Sequence, residues 1–266
     1  MIVVKIGGSI VEGLHSSILD DFVELSKREK IVIVHGGGKD VTNTANLMGK
    51  EQNFIISPEG KRSRYTDKET SMIYTMVMSG KINKNITAML SEKGILSVGI
   101  TGIDGETIRA QRKKKLIILN EKGRKMIIDG GYTGKVSNID TRLIDILLNS
   151  GYLPVISPIA LGEDYEFLNI DGDRAAASVA GALESDVVVF ITNVSGLIME
   201  DKLINCLTLD EAKKLLPKIG PGMEKKVLAS TEALTLGVKK TIIASGSVTN
   251  PLLSALSHNN CTVIMK

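Results

Sequence analysis

Ile2-Val3-Val4-Lys5-Ile6-Gly7-Gly8-Ser9 and Ile31-Val32-Ile33-Val34-His35-Gly36-Gly37-Gly38-Lys39 decide the fold of this chain. Each begins as an unbroken β-branched run, the pattern of a strand covered on both faces. Each then breaks into glycines and opens into a helix-like segment. A strand–glycine–helix turn aims backbone N–H groups at the space above the sheet edge, and the helix start adds partial positive charge. Two such turns, each with a lysine in or beside it, predict an anion site where phosphate moves.

The alternation continues outward from these turns. Residues 95–101, 153–159, 186–192, 240–244 and 262–265 read as further strands, and residues 16–28, 39–48, 68–93, 141–149, 174–183, 210–216 and 224–236 as helices. This order predicts an α/β fold, a three-layer αβα sandwich around a mostly parallel sheet. Residues 116–119 and 125–128, joined by Asn120-Glu121-Lys122-Gly123, read as a β-hairpin followed by the loop Gly130-Gly131-Tyr132-Thr133-Gly134. Neither is needed to complete the sheet, so both are candidate walls over the site. Polar composition near 161–166 places a lobe boundary there, dividing the chain into 1–163 and 164–266.

Composition narrows the classes. The 266 residues are 43% hydrophobic and only 3% aromatic, so the core is aliphatic. No apolar run is long enough to span a membrane, and the first run carries Lys5, unlike a signal peptide. Cys206 and Cys261 lack metal-ligand spacing and read as reduced thiols of a cytoplasmic protein. Net charge is +3, too small to argue for nucleic acid. A P-loop is excluded because Ile33 stands at its first glycine and Asp40 follows Gly38-Lys39. The dinucleotide fingerprint and the protein-kinase motifs are also missing.

Three more constellations bear on phosphate chemistry. Asn169-Ile170-Asp171-Gly172-Asp173-Arg174 enters a small-residue helix that Asp171 or Asp173 could cap. Gly220-Pro221-Gly222-Met223-Glu224-Lys225-Lys226 puts Lys226 in a first helical turn, and Thr192-Asn193-Val194-Ser195-Gly196-Leu197 follows a strand's carboxyl end. Taken singly, each has an ordinary structural explanation: a tight turn, a cap, a solvated lysine face.

The ordered set, with Arg64-Tyr65-Thr66-Asp67 and Ser79-Gly80-Lys81-Ile82-Asn83-Lys84, resembles the amino-acid kinase family and its acetylglutamate-kinase branch over essentially the whole chain. The resemblance implies an acyl-acceptor pocket in the N-terminal lobe and an ATP pocket in the C-terminal lobe, with Mg²⁺ held by the phosphates and no protein metal ligand. It makes Lys5 and Lys226 the amines that neutralise the transferring phosphoryl group and Asp173 the carboxylate that orients them. Gly8, Gly36 and Gly37 would donate N–H groups to phosphate and to the attacking carboxylate. Arg64 and Asn169 would hold the acceptor. Gly7, Thr192, Asn193, Val194, Gly196, Leu197, Gly222 and Met223 would join the lysines at the nucleotide. Carboxylate chemistry agrees: a side-chain carboxylate has a reference pKa of about 4.3 and needs no general base. The obstacle is repulsion between anions, which fixed dipoles and ammonium groups relieve.

Ser63-Arg64-Tyr65-Thr66-Asp67 and the 130–135 loop are similar to relatives that phosphorylate 2-aminoadipate or glutamate while its amino group rides on a small acidic amino-group carrier protein (LysW). This implies lysine biosynthesis and, for some such relatives, arginine biosynthesis too. Charge placement agrees. Arg109, Arg112, Lys113, Lys114 and Lys115, then Lys122, Arg124, Lys125 and Lys135, cluster around the hairpin and loop, with Lys61 and Arg62 beside the substrate arginine. Arg112, Lys113, Lys114 and Lys135 are the candidate carrier contacts, since a basic rim accelerates encounter with an acidic partner. A solvated basic face would look the same. A free N-acetyl-L-glutamate kinase, another kinase of the family and a non-catalytic amino-acid-binding regulator also stay open. The chain begins at its first strand, like family members without an N-terminal helix, which implies a homodimer pairing through residues 68–93.

Overall fold

The computed structural model describes residues 1–11, 16–58, 60 and 62–266. Eight strands form the central sheet: β1 (Ile2–Ile6), β2 (Ile31–His35), β3 (Ser97–Thr101), β4 (Leu153–Ser157), β5 (Val187–Thr192), β6 (Cys206–Thr208), β7 (Lys240–Ser245) and β8 (Cys261–Met265). Their order across the sheet is β6-β8-β7-β5-β1-β2-β4-β3. Every pairing is parallel except β7 with β8.

The period of two divides each strand between two cores. Ile2, Val4, Ile6, Ile31, Ile33, Val187, Val189 and Ile191 face one core, with side chains from Ser16–Ser26, Gly38–Leu47, the long helix beginning at Lys68, and Pro251–Leu256. Val3, Val32, Val34, Val188 and Phe190 face the other, with Arg142–Asn149, Gly172–Ala182, Leu209–Leu215 and Met223–Thr235. This is the expected αβα sandwich. The alternation also aims the two polar residues at the strand ends. Lys5 falls on the face of Val3, toward Gly172–Ala182, and His35 on the face of Ile33, toward the long helix.

Four expectations change. The helix expected over 68–93 contains a π-helical segment, Met76–Ile82, between Lys68–Thr75 and Asn83–Glu92. The strand expected over 153–159 ends at Ser157, and Ile159–Leu161 leaves for a second sheet. That sheet has the order Phe167–Asn169, Ile159–Leu161, Ile108–Arg112, Gly134–Ile139, so half of the basic run is a strand. The polar stretch 162–166 is the turn of a hairpin: Ile159–Leu161 and Phe167–Asn169 pair antiparallel, and Gly162 N–H donates to the Glu166 carbonyl at 2.8 Å. The other hairpin forms as expected, Lys115–Leu119 against Lys125–Asp129.

Candidate active site

β1 and β2 are adjacent and in register, Ile6 opposite His35, so their glycine turns meet. The contact is backbone on backbone. A Cβ on Gly8 would stand 2.8 Å from the Gly37 nitrogen, and one on Gly36 would stand 2.8 Å from the Gly8 nitrogen. A Cβ on Gly37 would overlap the Ile82 Cδ1 atom of the π-helical segment. Glycine is required at Gly8 and Gly36, where the neighbour is backbone; at Gly37 the Ile82 and Met78 side chains would have to shift.

The turns do not present all their N–H groups to a ligand. Gly7 N–H donates to the Ile191 carbonyl at 2.9 Å and Gly36 N–H to the Ile6 carbonyl at 2.8 Å, both extending the sheet ladder. The donor role expected of Gly36 is therefore corrected: its contribution is the close approach. Gly8 and Gly37 make no such N–H bond among the described residues, and Gly37 is the N-cap of Gly38–Leu47 with no side chain capping it. Their N–H groups are the donors the site offers.

Lys5 and Lys226 converge on one carboxylate. Lys5 Nζ lies 2.6 Å from Asp173 Oδ1, an ion pair outside hydrogen-bonding angles, and Lys226 Nζ donates to Asp173 Oδ2 at 3.1 Å. Asp173 is 5% exposed and Lys5 7%, so neither charge is shielded by bulk water. Burial pushes the Asp173 pKa up, but the two ammonium groups outweigh it and hold the carboxyl below its ordinary range. Of the two candidate caps, Asp171 is the one used. Its side chain accepts from the N–H groups of Asp173 at 3.0 Å and Arg174 at 3.1 Å, leaving the Asp173 carboxylate to the lysines. The helix start has no Cβ at Gly172, where the Lys5 stem passes 3.6 Å from the space a side chain would take.

Two cavities flank this cluster in sequence and in lining. The larger, about 730 Å³, is bounded by Gly38, Arg64, Tyr74, Asn169, Asp171 and the hairpin residues Leu116–Ile118. Arg64 is half-buried here. Its Nη2 donates to the Gly38 carbonyl at 2.7 Å and Thr42 Oγ1 at 2.8 Å, its Nη1 donates to Gln52 Oε1, and its guanidinium stacks on Phe54. These bonds lock the fork beside the glycine turn. Asn169 Nδ2 donates to Thr66 Oγ1 at 3.1 Å, which leaves its carbonyl oxygen and second N–H toward the cavity. Sequence reasoning missed Tyr74. It is 7% exposed, and its hydroxyl makes no hydrogen bond among the described residues. Burial raises the phenol's pKa, so it remains a donor.

Lys113 and Lys135 line the same cavity, beside the hairpin. Desolvation, then the nearby Arg174, hold the Lys113 pKa below its ordinary value. Lys114 is exposed. Arg112 is turned inward instead: its Nε donates to the Gly131 carbonyl at 2.6 Å and its guanidinium stacks on Tyr132, 4.4 Å from the ring centre. It holds the 130–134 loop, so it is not a free rim charge. Arg62 stacks on Phe54 at 3.9 Å, and Lys61 lies outside the described residues.

The smaller cavity, about 460 Å³, is lined by Val194, Gly196, Leu197 and Met223, as expected, and by Ile198, Met199, Glu200, Lys218, Ile219, Gly220 and Pro221, which were not foreseen. Thr192, Asn193 and Gly222 are not part of its lining. Gly222 instead has φ of +90°, the left-handed turn into Met223–Thr235 that glycine permits. That helix borders both cavities: Met223 lines the smaller one, and Glu224, Lys225, Leu228 and Glu232 the larger. Lys226, on the same helix, lines neither and is turned to Asp173. Among the described residues, no group of three or more His, Cys, Asp or Glu side chains could hold a metal ion, and no helix is long and apolar enough to cross a membrane.

Residues 1–245 match the family model described as the amino acid kinase family. The chain is 45% identical over 264 residues to the LysW-aminoadipate/LysW-glutamate kinase of Saccharolobus solfataricus, covering 99% of both chains. It is 58% identical over 264 residues, again 99% of both, to a protein of Nitrosopumilus maritimus that carries the same name provisionally. Among solved structures, N-acetylglutamate synthase from Neisseria gonorrhoeae superposes with a TM-score of 0.80 at 22% identity, over all of this chain and 59% of that one. Carbamate kinase from Giardia lamblia superposes with a TM-score of 0.71 at 14% identity, over all of this chain and 98% of that one. At these identities the two structures speak for the fold alone.

Proposed function

The chain belongs to the amino acid kinase family, and we propose that it transfers the γ-phosphoryl group of ATP to the side-chain carboxylate of 2-aminoadipate, and of glutamate, carried through its amino group on the small acidic protein LysW. The carboxylate oxygen forms the new bond to phosphorus, the bond between phosphorus and the β,γ-bridging oxygen breaks, and ADP leaves. The product is an acyl phosphate of lysine biosynthesis and, with glutamate, of arginine biosynthesis.

The observation that carries this reading is the convergence of Lys5 and Lys226 on Asp173, on a helix pair that borders two cavities. Fixed cations and N–H dipoles beside an acceptor pocket and a nucleotide pocket do what phosphoryl transfer between anions requires. In this reading the larger cavity takes the acceptor, with Arg64 on its α-carboxylate and Asn169 beside it. Residues 1–163 supply most of that pocket, Asn169 and the two helices behind Asp173 and Lys226 close it, and 164–266 supply the nucleotide pocket. The smaller cavity takes the adenine against Leu197, Ile198, Met199 and Met223. Gly8 and Gly37 donate to the phosphoryl oxygens. Magnesium enters on the nucleotide's phosphates, consistent with its preference for phosphate and water oxygens. Lys113, Lys114 and Lys135 meet the acidic carrier, and Arg112 supports the loop under them. The reading places the enzyme in the cytoplasm as a homodimer; Met72 and Met76, each 51% exposed on the long helix, support pairing through that face.

The test is a hydroxylamine-trapped kinase assay with carrier-linked aminoadipate, carrier-linked glutamate and free N-acetyl-L-glutamate. The reading expects at least a hundredfold higher kcat/KM on a carrier-linked substrate. Comparable turnover of free N-acetyl-L-glutamate would replace it with the acetylglutamate kinase reading.

A further inference from the structure

His35 is wholly buried at the end of β2, immediately before the glycine turn, and nothing in the phosphoryl-transfer reading uses it. Its surroundings are unusually determinate. Nδ1 lies 3.0 Å from the carbonyl oxygen of Gly36, the next residue. A carbonyl can only accept, so Nδ1 carries the proton. Nε2 lies 3.3 Å from Asn83 Nδ2, which can donate to a bare ring nitrogen, and 2.8 Å from Ser157 Oγ, whose one hydroxyl hydrogen reaches either Nε2 or the Met78 carbonyl 3.1 Å away, an acceptor the Asn83 N–H already serves. Asn83 is itself fixed, donating to the Val155 carbonyl at 2.8 Å. Burial, with the charge of Lys5 adding to it, lowers the imidazole's pKa to about 4, so the ring is neutral at working pH.

We propose that His35 is a positioning residue for phosphoryl transfer: by donating from Nδ1 to the Gly36 carbonyl it fixes the Gly36–Gly37 peptide plane and thereby aims the Gly37 N–H into the site. The argument is elementary stereochemistry. In a trans peptide the C=O and N–H bonds point in opposite directions, and the chain has no cis bond among the described residues. Pinning the Gly36 oxygen on the β2 side therefore directs the Gly37 hydrogen to the opposite side. Glycine makes the pin necessary, because a peptide between two residues without side chains has few other restraints. The Gly36 N–H bond to Ile6 anchors the near end only.

The π-helical segment Met76–Ile82 completes the device. Its geometry sets Ile82 and Met78 against the Gly37 Cα and brings the Met78 carbonyl within 3.1 Å of Ser157 Oγ. The π turn closes through the Asn83 N–H bond to that carbonyl, and Asn83 is also the residue whose side chain reaches His35. π turns inside helices concentrate at functional sites. Here the turn delivers one partner of the imidazole's far nitrogen, Asn83, and through the Met78 carbonyl it holds the other, Ser157 of β4.

This inference rests on the phosphoryl-transfer reading, and its tests separate the two. Long-range ¹H–¹⁵N correlation on protein labelled with [¹⁵N]histidine reads the tautomer in the unaltered enzyme. A proton on Nδ1 and a bare Nε2 at pH 7 is expected; the opposite tautomer overturns the proposal whatever the substrate. His35→Asn keeps a donor near the Nδ1 position, His35→Gln reaches only toward the Nε2 position, and His35→Leu keeps neither. Among folded variants of matched melting temperature, kcat should fall at least tenfold in His35→Leu and His35→Gln, with both KM values within threefold. His35→Asn should recover most of kcat. Equal kcat across the three, or a loss confined to KM, overturns the proposal. If wild-type enzyme phosphorylates no carboxylate acceptor, the reading fails while the tautomer measurement still stands.

Discussion

Asp173→Asn is the substitution that separates an electrostatic site from a merely well-packed one. It removes one negative charge between Lys5 Nζ at 2.6 Å and Lys226 Nζ at 3.1 Å, in a place where Lys5 has almost no water. Breaking a buried ion pair from one side costs about 3–5 kcal/mol, because the partner charge stays behind uncompensated. Two amines remain here, but Lys226 is less enclosed and can turn toward water, so the lower end of that range, about 3 kcal/mol, is the better figure. At about 2.1 cal/mol/K per residue, 266 residues give an unfolding entropy near 0.56 kcal/mol/K, which converts that loss to a melting shift of about 5 °C. The polyphosphate of a nucleotide supplies the missing negative charge. The variant should therefore gain more melting temperature from a non-hydrolysable ATP analogue than the wild type does, while kcat falls about a hundredfold. Differential scanning fluorimetry with and without the analogue reads the first claim, and steady-state kinetics the second. If free Asp173→Asn melts with the wild type and shows the same nucleotide increment, the two lysines are not held against each other by this carboxylate, and the electrostatic account fails.

Arg64→Lys keeps the charge and loses the fork that bonds Gly38, Thr42 and Gln52; acceptor KM should rise about tenfold with ATP KM unchanged, and a coequal change in both would reassign the residue. Replacing Lys113, Lys114 and Lys135 together by Gln should lower kcat/KM for a carrier-linked substrate and flatten its dependence on salt between roughly 20 and 300 mM NaCl, while an unaltered salt slope would remove these residues from the carrier surface. His35 carries the clearest acid-stability signature. Its pKa is about 4 in the fold against 6.5 for an ordinary histidine, so the unfolded chain binds the extra proton first and stability falls as pH drops from 6.5 to 4. The free energy of 2.303RT per pH unit, about 1.36 kcal/mol, accumulates across that interval to a loss of about 3 kcal/mol. Urea midpoints at pH 7 and pH 4.5 should converge in His35→Asn relative to wild type; an identical pH slope in both would refute the assignment.

The central layer was legible because its strands are buried on both faces and write themselves as unbroken Val and Ile, from Ile2–Ile6 to Val187–Thr192. The second sheet was not, because strands of the same length such as Ile108–Arg112 and Gly134–Ile139 carry charged residues that interrupt the apolar run. Arg112 illustrates the cost: one residue inside a basic run, it reads as rim charge until the loop it grips is seen. The π segment leaves no trace in residue type, since Met76–Ile82 continues an ordinary helical pattern and only its partners beneath, Gly37 and Ser157, explain the extra residue. Chemistry was more legible than lining. Lys5, Asp173 and Lys226 stood out by motif, whereas Tyr74, Ile198 and Ile219 are ordinary hydrophobic or aromatic residues whose importance comes from where the chain folds them.

The approach of the two glycine turns has a consequence for how such a chain can change over time. A Cβ on Gly8 would enter the backbone of the second turn and one on Gly36 the backbone of the first, so enlarging either cannot be rescued by shrinking the other: nothing smaller remains. Ordinary core pairs can drift by trading size across a contact. This pair has no compensating partner move, and only a separation of the two central strands would admit even an alanine.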